Sequence, residues 1–150
     1  ECLVHILGQQ RQSPDTESCL LLIDVDHFKQ INDKYGHTTG DSVLKQVARL
    51  ILESIRQSDY AGRYGGEEFT VILVDTNADG ANVVAERLRK TIESNTVYYD
   101  DHVINYTISL GIAEISDPIK NPVEWVDSAD RGLYRAKRAG RNQTQIYKPE

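Results

Sequence analysis

Apolar residues along this chain follow two rhythms. The first is an unbroken run, Cys19-Leu20-Leu21-Leu22-Ile23, ending in Asp24-Val25-Asp26. A run of that length and composition predicts a strand buried on both faces, with its two carboxylates where the sheet meets solvent. Two positions apart on a strand, Asp24 and Asp26 share a face. The second rhythm is helical. Val43, Leu44, Val47, Leu50 and Ile51 predict an amphipathic helix running to about Arg56, and Val84, Leu88 and Ile92 a second one. Between them, Tyr60 to Tyr64 and Phe69 to Val74 read as strands joined through Gly65-Gly66-Glu67-Glu68. A Gly-Gly pair there predicts a hairpin with a primed turn, which needs positive φ.

Val103 to Ile115 alternates like a strand, with Ile104, Tyr106, Ile108 and Leu110 on one face. Asn121-Pro122-Val123-Glu124 reads as a helix start, with Asn as N-cap, Pro first and Glu closing a capping box. That helix carries Val126, Ala129 and Leu133, and Gly140 stops it. Gln145-Ile146-Tyr147 reads as a short last strand, Leu3 to Leu7 as a helical start and Gln9 to Ser18 as a polar loop. The order is β-α-β-β-α-β plus a C-terminal helix. It predicts an α+β, ferredoxin-like core with a mostly antiparallel sheet and helices packed on it.

Composition narrows the function. At 150 residues, 39% hydrophobic and 27% charged, the chain suits one globular domain with a real core. No apolar run approaches a membrane span and no signal peptide opens the sequence, so a cytoplasmic domain is expected. A net charge of −6 argues against wrapping a nucleic-acid polymer, which requires a basic face, but not against one nucleotide held by a few cations. Cys2 and Cys19 have no metal-ligand spacing and read as reduced, semi-buried packing residues. The chain opens on Glu1 and contains no methionine, as expected of a piece of a longer protein.

The candidate chemistry is carboxylate chemistry. Magnesium takes oxygen ligands, commonly one or two carboxylates plus substrate phosphates. Asp24 and Asp26 beside an acidic hairpin, Glu67-Glu68, would suit it if those strands are neighbours. Alternatively Asp26 caps a turn, Asp24 is merely solvated, and the hairpin carries solubilising charges. His37 reads as a loop buttress and Trp125 as packing; His5 and His102 lack ligand-like partners.

The string Arg63-Tyr64-Gly65-Gly66-Glu67-Glu68-Phe69 resembles the signature of GGDEF domains, in the variant with Glu for Asp. Leu22-Ile23-Asp24-Val25-Asp26-His27-Phe28-Lys29-Gln30-Ile31-Asn32-Asp33 resembles that family's first strand and following turn. Tyr35-Gly36-His37, Gly40-Asp41, Ser109-Leu110-Gly111 and the stretch from Ala129-Asp130 to Asn142 fall in the family's order. The family's N-terminal signature, Asp-x-Leu-Thr-x-Leu-x-Asn-Arg, is missing, as expected if Glu1 begins inside the helix after it.

The resemblance implies a nucleotidyl-cyclase-type fold, with residues 1–150 forming one catalytic domain whose N-terminal part is truncated. It implies a diguanylate cyclase, a nucleotidyltransferase that condenses two GTP molecules into cyclic di-GMP with magnesium, or manganese in its place. Asp24, the Val25 carbonyl and Glu67 would hold metal. Main-chain N–H groups of His27 and Phe28, with Lys29, Lys137 and Arg141, would cradle phosphates. Glu68 would position metal or deprotonate the attacking hydroxyl. Asn32 and Asp41 would read guanine, whose N1–H and N2–H₂ donors suit a carboxylate. The alternative for Asp41 is an N-cap.

Each domain would hold one GTP, so catalysis requires a homodimer, imposed by an upstream sensory segment. The full protein would then extend beyond this domain and be free to carry a membrane anchor. Arg56-Gln57-Ser58-Asp59 is an Arg-x-x-Asp pattern with Asp59 six residues before Gly65, and resembles the family's inhibitory product site, with Arg87 adding a cation. The alternative there is an exposed ion pair of small energy. Two other functions compete. One is a catalytically silent receptor for GTP or cyclic di-GMP; the other is a cyclase of relaxed base choice.

Overall fold

The computed structural model describes residues 17–115 and 121–148. The expected helix from Leu3 to Leu7 and nearly all of the polar stretch after it lie outside them, as do Cys2 and His5. The first element, β1 (Cys19–Val25), is buried along its whole length, as its unbroken apolar run predicts. Helices cover both faces. Cys19, Leu21, Ile23 and Val25 point into a core shared with α2 (His37–Ser54) and α3 (Ala78–Ser94), through Val43, Val47, Ile51, Leu88 and Ile92. Leu20 and Leu22 point the other way, onto Trp125, Ala129 and Leu133 of α4 (Pro122–Arg138).

The remaining elements are α1 (Phe28–Tyr35), β2 (Tyr60–Arg63), β3 (Glu68–Leu73), β4 (Val97–Tyr99), β5 (His102–Ile104), β6 (Ile108–Glu114) and β7 (Thr144–Ile146). The main sheet has order β2-β3-β1-β6-β7; β7 runs parallel to β6 and every other pairing is antiparallel. This is the expected α+β layout. β1 lies at its centre, so its acidic end is flanked by β3 and β6.

α4 lies very close to β6. A Cβ on Gly111 would come within 2.2 Å of both the Ala129 carbonyl and the Leu133 nitrogen. The bare backbone therefore lets the helix settle over the strand, with fully buried Trp125 donating its indole N–H to the Ala113 carbonyl at 2.8 Å. Trp125 is packing, as expected. Asn121 caps α4 by accepting from the Glu124 N–H at 2.9 Å, with Pro122 as first residue.

Several expectations need correction. Residues read only as a turn after β1 form α1, whose Phe28 and Ile31 are buried. α2 starts at His37 and ends at Ser54, so His37 is an exposed first-turn residue rather than a loop buttress. The expected strand from Val103 to Ile115 is two strands, and β5 pairs with the unanticipated β4 in a separate ribbon. Neither Gly65 nor Gly66 has positive φ, so the connection from β2 to β3 is not a primed two-residue turn. Cys19 is fully buried rather than semi-buried, and its thiol donates to the Thr76 carbonyl.

Candidate functional site

The alternation of β1 continues from Leu20 and Leu22 to Asp24, which places this carboxylate on the α4 face. There Lys137, in the last turn of α4, forms an ion pair with Asp24 Oδ2. Directly opposite Asp24 on β3 is Glu68, and cross-strand partners share a face. Glu67 lies just before β3, and its carbonyl accepts the Val25 N–H at 3.3 Å. The connection is held by Tyr64 and Gly65 N–H groups donating to the Glu68 carbonyl at 2.8 and 3.3 Å, and by Arg63 donating to the Gly66 carbonyl at 2.5 Å. The acidic strand end and the acidic hairpin are neighbours.

Three carboxyls therefore share a small, half-dry volume. Burial pushes Asp24 up from its ordinary value; the Lys137 ammonium pulls it back, and Asp26 adds a smaller upward push. Glu67 and Glu68 are raised first by burial and next by the Asp24 charge, with Lys137 opposing. Such like-charged crowding costs free energy that a cation recovers. Asp24 is 4% exposed, and its Oδ1 is buried with no hydrogen-bond partner. An orphaned carboxylate oxygen flanked by two further carboxyls fits a hard divalent ion. Among the described residues no three ligand side chains stand ready as a complete cage. One or two carboxylates completed by a carbonyl and phosphate oxygens is the pattern magnesium prefers.

His27, two residues past β1, adopts a left-handed conformation (φ 55°) and opens α1 without a side-chain cap, so the first N–H groups of α1 lack a side-chain partner there. Lys29, next along, is exposed. Arg141, just past α4, is exposed, and its charge acts on Asp24.

Asn32, in α1, has a buried Oδ1 without a partner, packed so tightly on α2 that a Cβ at Gly40 would overlap it at 1.8 Å. Asp41 follows in the second turn of α2. It is not the N-cap, a position held by Gly36. Exposed Asp41 lines a cavity of about 300 Å³ with Leu44, Lys45, Ala48, Arg63 and Phe69, between α2 and the β2–β3 hairpin.

The Arg56–Asp59 pair lies elsewhere. It sits against Val74, just past the far end of β3 from Glu68, about 20 Å away at strand rise. Asp59 accepts from the main-chain N–H groups of Arg56 (2.8 Å) and Val74 (3.0 Å) and from the Arg56 guanidinium at 3.1 and 3.3 Å. The Asp59 side chain is 1% exposed and that of Arg56 56%, so only the arginine half presents itself to solvent. Arg87 is exposed on α3. Sequence reasoning named Ser109 and Asn142 only as motif positions and gave Thr107 no role; that all three are partners of Asp26 it did not find.

An α+β domain with a carboxylate cluster at the end of its central strand is thereby defined. The chain belongs to the family described as diguanylate cyclase, GGDEF domain, whose profile matches residues 3–143. Diguanylate cyclase A of Treponema denticola is 46% identical over 145 residues, covering 97% of this chain and 39% of that protein. This chain thus spans about two fifths of that relative's length. The GGDEF domain of DgcB from Caulobacter crescentus, solved in complex with c-di-GMP, superposes with a TM-score of 0.91 at 32% identity, covering 97% of this chain and 85% of that one. The active GGEEF domain of a diguanylate cyclase from Vibrio cholerae gives a TM-score of 0.91 at 28% identity, covering 99% and 94%.

Proposed function

We propose that this domain condenses two GTP molecules into cyclic di-GMP with release of two pyrophosphates. The observation that carries the reading is the buried, unpartnered Oδ1 of Asp24, set between Glu67, Glu68 and Lys137. Asp24, the Val25 carbonyl and Glu67 would hold magnesium, with manganese as substitute. When bound, it supplies charge neutralisation at the triphosphate and activation of the α-phosphorus.

The chain's own groups do the rest. The main-chain N–H groups of His27 and Phe28, with Lys29, Lys137 and Arg141, hold the phosphates. Glu68 accepts the 3′-hydroxyl proton, a task suited to a carboxyl raised by burial and by Asp24. Asn32 and Asp41 select guanine: the unpartnered buried acceptor of Asn32 and the Asp41 carboxylate beside its cavity suit guanine's adjacent N1–H and N2–H₂ donors, whereas adenine presents an acceptor at N1 and has no 2-amino group.

One domain supplies one 3′-hydroxyl and one activated phosphate, so two copies must face each other. A regulatory segment outside this domain would set that encounter. Among the described residues no helix is long and apolar enough to cross a membrane; a domain with GTP as its substrate would work in the cytoplasm. Product binding at Arg56, whose guanidinium the buried Asp59 holds in place, and at Arg87, distant from the carboxylate cluster, provides feedback. DgcB, the relative solved with c-di-GMP, supports recognition of that product.

The test is incubation with GTP and magnesium followed by mass spectrometry. Cyclic di-GMP and pyrophosphate are expected. GTP binding without product establishes a silent receptor, and a mixed dinucleotide from GTP plus ATP establishes relaxed base choice.

A further inference from the structure

Asp24 and Asp26 look like twin metal ligands in sequence, but the structure divides their tasks. Asp26 is 5% exposed and its carboxylate is engaged on both oxygens. Oδ2 accepts from the Thr107 hydroxyl at 2.7 Å and the Asn142 main-chain N–H at 3.0 Å. Oδ1 accepts from the Ser109 hydroxyl at 2.7 Å. The Asp26 N–H donates to the Thr107 carbonyl at 2.9 Å, fixing the residue to the entry of β6. Three donors take up most of the roughly four acceptor positions of a carboxylate.

The far partner shows what this grip controls. Gly140, Arg141 and Asn142 have φ of 119°, 63° and 47°, three successive left-handed residues. Two of them carry side chains, and such a run persists only where surrounding contacts impose it. Arg141 N–H closes α4 by donating to the Ala136 carbonyl at 2.9 Å. Asn142 N–H is shared by Asp26 and the Ser109 hydroxyl, the latter at 3.2 Å. The Asn142 amide is held as well: its Oδ1 accepts from Arg89 at 2.9 Å and its Nδ2 donates to Glu93. Arg141 is therefore held by its own N–H on Ala136 and by the anchored Asn142 that follows it, with its charge acting on Asp24. In the other direction along the chain, Asp26 immediately precedes left-handed His27. One buried carboxylate ties the loop that opens α1 to the loop that leaves α4.

We propose that Asp26 is a positioning residue for triphosphate capture, holding Arg141 in place through Asn142 and aligning it with the His27–Phe28 turn. The site uses its acceptor geometry, not a charge offered to a cation. The inference rests on the reading of Arg141, His27 and Phe28 as phosphate contacts.

Calorimetric GTP binding at fixed magnesium, with magnesium titrated separately, tests it on Asp26→Ala, Asp26→Asn, Arg141→Ala and the double variant Asp26→Ala/Arg141→Ala. Asp26→Ala is expected to weaken GTP by about tenfold or more, as loss of positioning does. The half-saturating magnesium concentration stays where it was. Asp26→Asn keeps an acceptor for the Asn142 N–H and recovers most of the affinity. In the Arg141→Ala background, Asp26→Ala costs little further, because the group it positions is gone. Should Asp26→Ala not fold, Ser109→Ala, which removes one hydroxyl of the bracket, shifts GTP affinity in the same direction by a smaller factor. A parent chain that does not bind GTP overturns the reading beneath the inference. A parent that binds GTP overturns the inference alone if Asp26→Ala leaves affinity unchanged, costs as much without Arg141, or acts through magnesium, or if Ser109→Ala leaves affinity unchanged.

Discussion

Lys137 engages only one of the two oxygens of Asp24. Its ammonium sits on Oδ2, while Oδ1 is buried and without a hydrogen bond. The pair therefore lowers the cost of burying a carboxylate without satisfying it. What remains unsatisfied is an oxygen acceptor, the requirement of a hard cation.

That arrangement has a pH signature. Asp24, Glu67 and Glu68 are all raised, chiefly by burial, with the Asp24 charge adding to the rise of both glutamates and Asp26 to that of Asp24. Between the ordinary carboxylate values, about 4, and the raised ones, the folded chain binds more protons than the unfolded chain. Their contribution to stability is therefore full at low pH and is lost as pH rises through the raised values. Other groups differ, notably Glu86, lowered by its hydrogen bond from Arg89. The measurement is thus a difference: melting temperature of the parent minus that of Glu67→Gln/Glu68→Gln, across that window without divalent ions. The difference should fall with pH and recover when magnesium is added. A flat difference contradicts the cluster.

Glu67→Gln removes charge while keeping shape. Cyclic di-GMP formation should drop by on the order of 100-fold or more, the scale of losing a group that stabilises transition-state charge, with the melting temperature held or raised. Near-parental turnover at the same magnesium concentration removes Glu67 from the metal site.

Asp41 is not a helix cap, so its carboxylate is available to a ligand. Asp41→Ser should reduce the preference for GTP over ATP by about tenfold or more, because the polar partner of guanine is gone. Competition binding with the two nucleotides reads this directly; an unchanged ratio returns base selection to other residues.

Arg56 and Asp59 should separate on mutation. Arg56→Ala leaves Asp59 its two main-chain donors and should relieve inhibition by added cyclic di-GMP while sparing the initial rate. Asp59→Ala strips the acceptor from the Arg56 and Val74 N–H groups and should also cost about 1–3 kcal/mol of stability in denaturant unfolding. Equal product affinity in Arg56→Ala and the parent places the inhibitory site elsewhere.

Periodicity and local chemistry were enough for the strand with two covered faces, the amphipathic helices, the capped start of α4 and its stop at Gly140. These are properties of neighbours in sequence, and the ordered motifs carried the family in the same way. α1 escaped notice because eight residues with two buried side chains carry little periodic signal. The primed turn failed because a Gly-Gly pair permits positive φ without requiring it.

Asp26 marks the boundary. In sequence it is a second carboxylate beside Asp24; in the structure it lies just past the end of β1. Its partners stand 81, 83 and 116 residues away, at Thr107, Ser109 and Asn142. Which of two like carboxylates keeps an open oxygen depends on which donors the sheet order β1-β6 and the exit of α4 bring to it. Residue types and spacing determined that this chain would place acid, lysine and arginine at one end of a central strand. Only the tertiary structure decided which acid is spoken for, because hydrogen-bond saturation is set by neighbours in space.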